Sequence, residues 1–206
     1  MSKPTAKWEA KAKELAKKPI KEMKLPPELL QGVLSKDDRT RYTSFKALLF
    51  ISEERPELLY PHWDYFADML DRENTHSKYI AIYLIASLTR ADAENKFEKM
   101  FDRYYRLLDD KSVIPSAHVA RNSGKIVKAK PELEAKITGK LLSIDGTHHK
   151  LSHKELIKSE AIEAFNEYFG EAKDKKKIME FVKEQLESKS PKTRKNASEF
   201  LKRWLS

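Results

Sequence analysis

The sequence predicts an all-α fold, an array of helix–turn–helix repeats. Three observations carry that reading. Long segments place apolar residues at helical spacing and are joined by short polar turns, with no run of strict apolar–polar alternation. Gly accounts for only 5 of 206 residues, too few for a turn-dense β fold or for glycine-loop nucleotide binding. Five of the segments superimpose on one small residue, Ser44, Ala81, Ala120, Ala161 and Ala197, at intervals of 37, 39, 41 and 36 residues.

The elements follow in order. Residues 5–18 read as an amphipathic helix, with Trp8, Ala12, Leu15 and Ala16 on one side and Pro19 as its stop. This helix is expected to cap the array, whose end needs a polar lid. Five first helices are expected over about 26–34, 57–70, 93–108, 131–142 and 174–187. Pro56-Glu57-Leu58 and Pro131-Glu132-Leu133 each start one of them, because proline at the first helical position gives up an N–H that would be unpaired anyway. The turns SKDDRT, DRENTHS, DDKS, SIDGTHH and ESKSPK then offer Asp, Asn and Ser as caps for the second helices. Within each second helix, four residues after the small position come Leu48, Ile85, Gly124, Phe165 and Leu201, and seven after it Ile51, Leu88, Val127, Tyr168 and Trp204. Offsets 0, +4 and +7 share a helical face, so this stripe is the predicted core. Three residues before the small position stand Arg41, Lys78, Ala117, Lys158 and Arg194.

The recurring basic residue, small residue and +4/+7 apolar pair make residues 25–206 resemble the HEAT/armadillo class of α-solenoids, an α-α superhelix of about five repeats behind an N-terminal capping helix. The third repeat departs from the pattern at Ala117 and Gly124. A helical Gly costs roughly 1 kcal/mol against Ala, so Gly124 is read as a close approach of a neighbouring helix. The chain divides on this reading into a basic N-terminal helix or arm, 1–24, and the solenoid, 25–206.

Composition bounds the function. No Cys is present, which excludes disulfides and thiol chemistry. No apolar run approaches a membrane span and no secretory leader is visible, so a cytoplasmic protein is expected. The net charge of +9 sits at the ends. Residues 1–24 hold eight Lys against three Glu, and residues 171–206 hold eleven basic against six acidic side chains.

In solenoids of the resembled class the second helices line a concave face, at offsets −2, +2 and +5 from the small residue. This places Tyr42, Lys46 and Leu49, then Tyr79, Tyr83 and Ala86, then His118, Asn122 and Lys125 on that face, with Arg90 continuing it and Arg121 beside it. Tyr and Arg are good interface anchors. The expected function is therefore a non-catalytic scaffold holding a protein or peptide. The alternative is nucleic-acid binding, including a HEAT-like DNA glycosylase, through this groove and the basic residues Lys192, Arg194, Lys195, Lys202 and Arg203.

No catalytic constellation, cofactor motif or metal site is expected. Walker, Rossmann and nucleophile-elbow signatures are absent. His148, His149 and His153 lie close in sequence, but His148 and His149 point apart if their segment is extended. Trp63 is assigned to the core and Asp64 to solvent.

Overall fold

Polar turn residues start most of the long helices. In the computed structural model, which describes residues 6–205, Asp37 accepts the Thr40 N–H at 2.8 Å and so caps the helix Asp38–Glu54. Asn74 caps Thr75–Leu88, Ser112 caps Val113–Ala129 and Ser190 caps Pro191–Trp204. Leu151–Tyr168 differs, because Lys150 stands at its cap position and offers no acceptor. All regular elements among the described residues are helical. None of these helices is long and apolar enough to cross a membrane.

In chain order the helices are α1 (Ala6–Glu22), α2 (Pro27–Gly32), α3 (Asp38–Glu54), α4 (Pro56–Leu59), α5 (Trp63–Met69), α6 (Thr75–Leu88), α7 (Lys96–Tyr105), α8 (Val113–Ala129), α9 (Glu134–Leu142), α10 (Leu151–Tyr168), α11 (Lys175–Glu184) and α12 (Pro191–Trp204). The contacts divide the chain into two units, Met1–Phe97 and Glu98–Ser206.

In the first unit α3 is the hub, packed by α1, α2, α4 and α6. The first five residues of the basic arm lie outside the described residues. From Ala6 onward the segment is a helix that runs through Pro19 to Glu22, four residues beyond the expected end. Ala12, Ala16 and Pro19 are its buried stripe. Packing the proline ring offsets the backbone hydrogen bond it removes. The expected helix 57–70 is broken into α4, a 3₁₀ turn at Tyr60–His62 and α5. Pro61 lies in that turn and has no N–H to continue the α ladder. Trp63 is buried and Asp64 exposed, as the helical spacing requires.

In the second unit α8 and α10 form the most extensive pair, and α12 also packs on α10. Gly124 explains the intimacy of the first pair. A Cβ at this position would stand 2.8 Å from the Ala164 carbonyl oxygen and 2.9 Å from the Glu167 Cβ. Gly32 plays the same part in the first unit, where a Cβ would overlap the Ser44 side chain.

Most of the predicted stripe is core. Ser44, Ala81, Ala120, Ala161 and Ala197 are all buried, as are Leu48, Ile85, Phe165, Ile51, Leu88, Val127 and Tyr168. Leu201 and Trp204, on the last helix, are only half-buried, since no further helix follows to cover them among the described residues. The basic position has a structural task. Arg41 donates to the Ser35 carbonyl at 2.8 Å, and Arg194 donates to the Ser188 carbonyl at 2.6 Å, each six residues back in the preceding turn. Lys158 reaches the Asp145 carboxylate at 2.7 Å instead.

Within each unit, side-chain bonds recur between residues 32–38 apart in the sequence. Ser52 meets Ser87, 35 residues on, at 2.9 Å. The Tyr60 hydroxyl donates to Asp92, 32 residues on, at 2.7 Å. Thr193 donates to the Glu155 carbonyl, 38 residues back, at 2.9 Å. Asn196 donates to Ser159, 37 residues back, at 3.0 Å.

Candidate functional site

The first unit gathers four of the residues expected at a binding face. Tyr42 and Lys46 lie one turn apart on α3, and Tyr79 and Tyr83 one turn apart on α6. Phe45, buried on α3, is the floor beneath them. The Tyr79 ring meets Phe45 edge-on at 5.3 Å, Tyr83 meets it at 5.9 Å, and the two tyrosine rings are 5.0 Å apart. Lys46 Nζ stands 6.0 Å from the Tyr42 ring. All four side chains are half-buried, which fixes their rotamers while leaving part of each accessible. Burial first, then the neighbouring Tyr83 and Tyr42, pushes the Tyr79 phenol far above its ordinary range, so it stays a neutral hydrogen-bonding group.

Helix α1 forms one wall of this surface. Trp8 packs 5.9 Å from the Tyr42 ring, and the Tyr42 hydroxyl donates to Glu9 at 3.2 Å. Arg90 is exposed just beyond α6, and its guanidinium donates to the Glu53 carbonyl. Ala86, expected to be exposed, is fully buried. The reason is that α6 is apolar around most of its circumference, and such a helix is enclosed rather than amphipathic.

The second unit gives a different picture. Arg121 on α8 pairs with Glu163 on α10 at 2.8 Å, and Lys128 pairs with Glu167 at 3.1 Å. Lys192 on α12 pairs with Glu160 on α10 at 2.5 Å. These ion pairs cross between second helices and neutralise the basic groups. Asn122, expected on the exposed stripe, is buried. Its amide turns back to donate to the His118 carbonyl at 2.8 Å. His118 and Lys125 are half-buried. Burial dominates at His118 and holds its imidazole below the usual range, while Glu160 opposes that shift.

The C-terminal basic run is likewise engaged. Besides Lys192 and Arg194, Lys195 pairs with Glu199 at 3.7 Å, and the Arg203 guanidinium lies 5.0 Å from the Trp204 ring. Lys202 is exposed on the same helix. A cavity of about 370 Å³ in this unit is lined by Val127, Glu134, Tyr168 and Lys173 among others. Its buried polar groups satisfy one another. Thr138 donates to Glu134 at 2.9 Å and meets the Tyr168 hydroxyl at 2.8 Å.

One cluster departs from the sequence expectation. His148 and His149 do not point apart, because the chain bends at residues 147–149 and does not run extended through them. Their rings lie 4.4 Å apart at 34°. Asp109 joins them, accepting the His148 backbone N–H at 2.8 Å and meeting its ring Nδ1 at 2.6 Å. Asp109 stands 39 residues before His148, whereas the small residues of α8 and α10 are 41 apart, so sequence register alone does not align the two positions.

Comparison with known proteins gives no matching family model, no matching curated protein and no matching solved structure.

Proposed function

We propose that the chain is a non-catalytic binding module, a short α-solenoid of the HEAT/armadillo kind that holds a protein or peptide against the face formed by α3 and α6. The observation that carries this reading is the Tyr42–Lys46–Tyr79–Tyr83 surface, in which Tyr79 and Tyr83 rest on a buried Phe45 and the Lys46 cation stands over the Tyr42 ring. Half-buried tyrosines with fixed rotamers lose little entropy on binding and present both an apolar ring and a polar tip. The repeat architecture is supported by side-chain bonds that span about one repeat and by small residues buried at near-constant intervals.

A protein or peptide is favoured over nucleic acid because Arg121, Lys192 and Lys195 are already paired with glutamates. A phosphate backbone would have to break those pairs before it gained them.

The test is quantitative affinity capture with the full chain as bait. A Tyr83→Ala/Lys46→Glu variant, confirmed folded by its thermal transition, is expected to lose at least tenfold of any protein that copurifies specifically with the wild type. A Tyr83→Phe variant keeps the ring and is expected to retain it. Equal capture by wild type and the double variant overturns the assignment of this face.

A further inference from the structure

Three turns of the second unit meet at one edge. The 3₁₀ segment ending at Asp109 precedes α8, Ser116 lies in the first turn of α8, and His148-His149 enters α10. One oxygen of Asp109 and one ring nitrogen from each of His148 and His149 lie within 4.8 Å of one another. We infer that Asp109, His148 and His149 form a binding site for a divalent transition-metal ion of the zinc, nickel or copper class.

The donor set favours that class. Two imidazoles and a carboxylate suit borderline ions, whereas magnesium and calcium prefer oxygen alone. An ion bound tetrahedrally at about 2.0–2.2 Å needs donors roughly 3.4 Å apart, so seating one replaces the 2.6 Å Asp109–His148 contact and draws the wider donor pairs together. The fourth position is left to solvent, since Asp109 and His148 are exposed.

The surroundings order the donors. Asp109 accepts the His148 backbone N–H and also meets that residue's ring Nδ1. The His149 ring is buried, so its orientation is fixed. The His149 Nε2 sits 2.9 Å from the Ser116 hydroxyl, which holds the ring in place. The same hydroxyl donates to the Leu107 carbonyl at 2.9 Å. His153 stays outside the triangle, its ring 6.1 Å from that of His149.

The test is calorimetric titration of the tag-free full chain with zinc, nickel and copper salts alone. One ion per chain with a dissociation constant in the micromolar range or tighter is expected for at least one of the three. His148→Gln and Asp109→Asn, both at exposed positions, are expected to weaken binding at least tenfold. His62→Gln, in the other unit, is expected to leave it unchanged. With cobalt as the probe, a visible d–d absorption should appear in the wild type and be lost in His148→Gln. Absence of stoichiometric binding, binding equal in wild type and the His148 and Asp109 variants, or loss confined to His153→Asn overturns the site.

Discussion

The α carbon of Gly124 faces the carbonyl oxygen of Ala164 so closely that a methyl group there would stand 2.8 Å from it. Backbone meets backbone at this point of the α8–α10 pair, and a flexible side chain cannot yield. Gly→Ala inside a helix ordinarily stabilises by about 1 kcal/mol. At Gly124 the sign reverses: Gly124→Ala is expected to destabilise by about 1–3 kcal/mol through overpacking. Gly139, within α9, has no atom near its would-be Cβ, and Gly139→Ala should show the ordinary gain. Urea titration of the two variants reads both signs.

Lys130 is buried and holds Glu98 at 2.7 Å, while the second oxygen of Glu98 is buried without a hydrogen-bond partner. Removing Lys130 leaves a half-buried carboxylate without this partner. Lys130→Met is expected to cost about 1–3 kcal/mol. Adding Glu98→Leu should recover most of that loss, measured by the same unfolding titration.

Stability should fall on mild acidification. Burial is the leading cause that lowers the folded-state pKa of His118 and of His149 from the ordinary 6.5. Below pH 6.5 the unfolded chain therefore binds more protons than the folded one, and stability rises with pH across that window. It is retained above pH 6.5 and lost as the pH falls toward the folded-state values. Thermal unfolding from pH 7 to pH 5 should show this slope, and His118→Gln should make it shallower.

The basic residues of α12 should bind phosphate weakly. Lys192 and Lys195 are engaged with Glu160 and Glu199, and Arg194 is held by the Ser188 carbonyl. Fluorescence anisotropy with labelled single-stranded and duplex DNA and RNA is expected to show no micromolar binding at ~200 mM salt, where nonspecific phosphate contacts are screened. Binding that survives this salt would restore the nucleic-acid reading.

The sequence made the second helices readable because their apolar stripe and their capping residues agree. Asp37, Asn74, Ser112 and Ser190 each mark a start that the structure keeps. Pro19 misled because a local stop signal was overridden by packing on α3. Ala86 and Asn122 misled because a single helical period assigns one buried face, whereas α6 is enclosed and the Asn122 amide satisfies itself within its own helix. At the candidate face, Tyr42, Lys46, Tyr79 and Tyr83 followed from repeat register alone. Glu9 and Trp8 on α1 did not, since nothing local in residues 5–18 says which helix they meet. The Asp109–His148 pair joins two turns of different length, which hides the equivalence of their positions.

The face formed by α3 and α6 is tested most directly by placing a photo-reactive residue at Lys46 in the full chain and irradiating in cells. The control is the same residue at Lys176, exposed on α11. A discrete protein adduct from position 46, absent from position 176 and abolished by Tyr83→Ala, is the expected result. No adduct at position 46, or the same adducts from both positions, would contradict a binding role for the Tyr42–Lys46–Tyr79–Tyr83 surface.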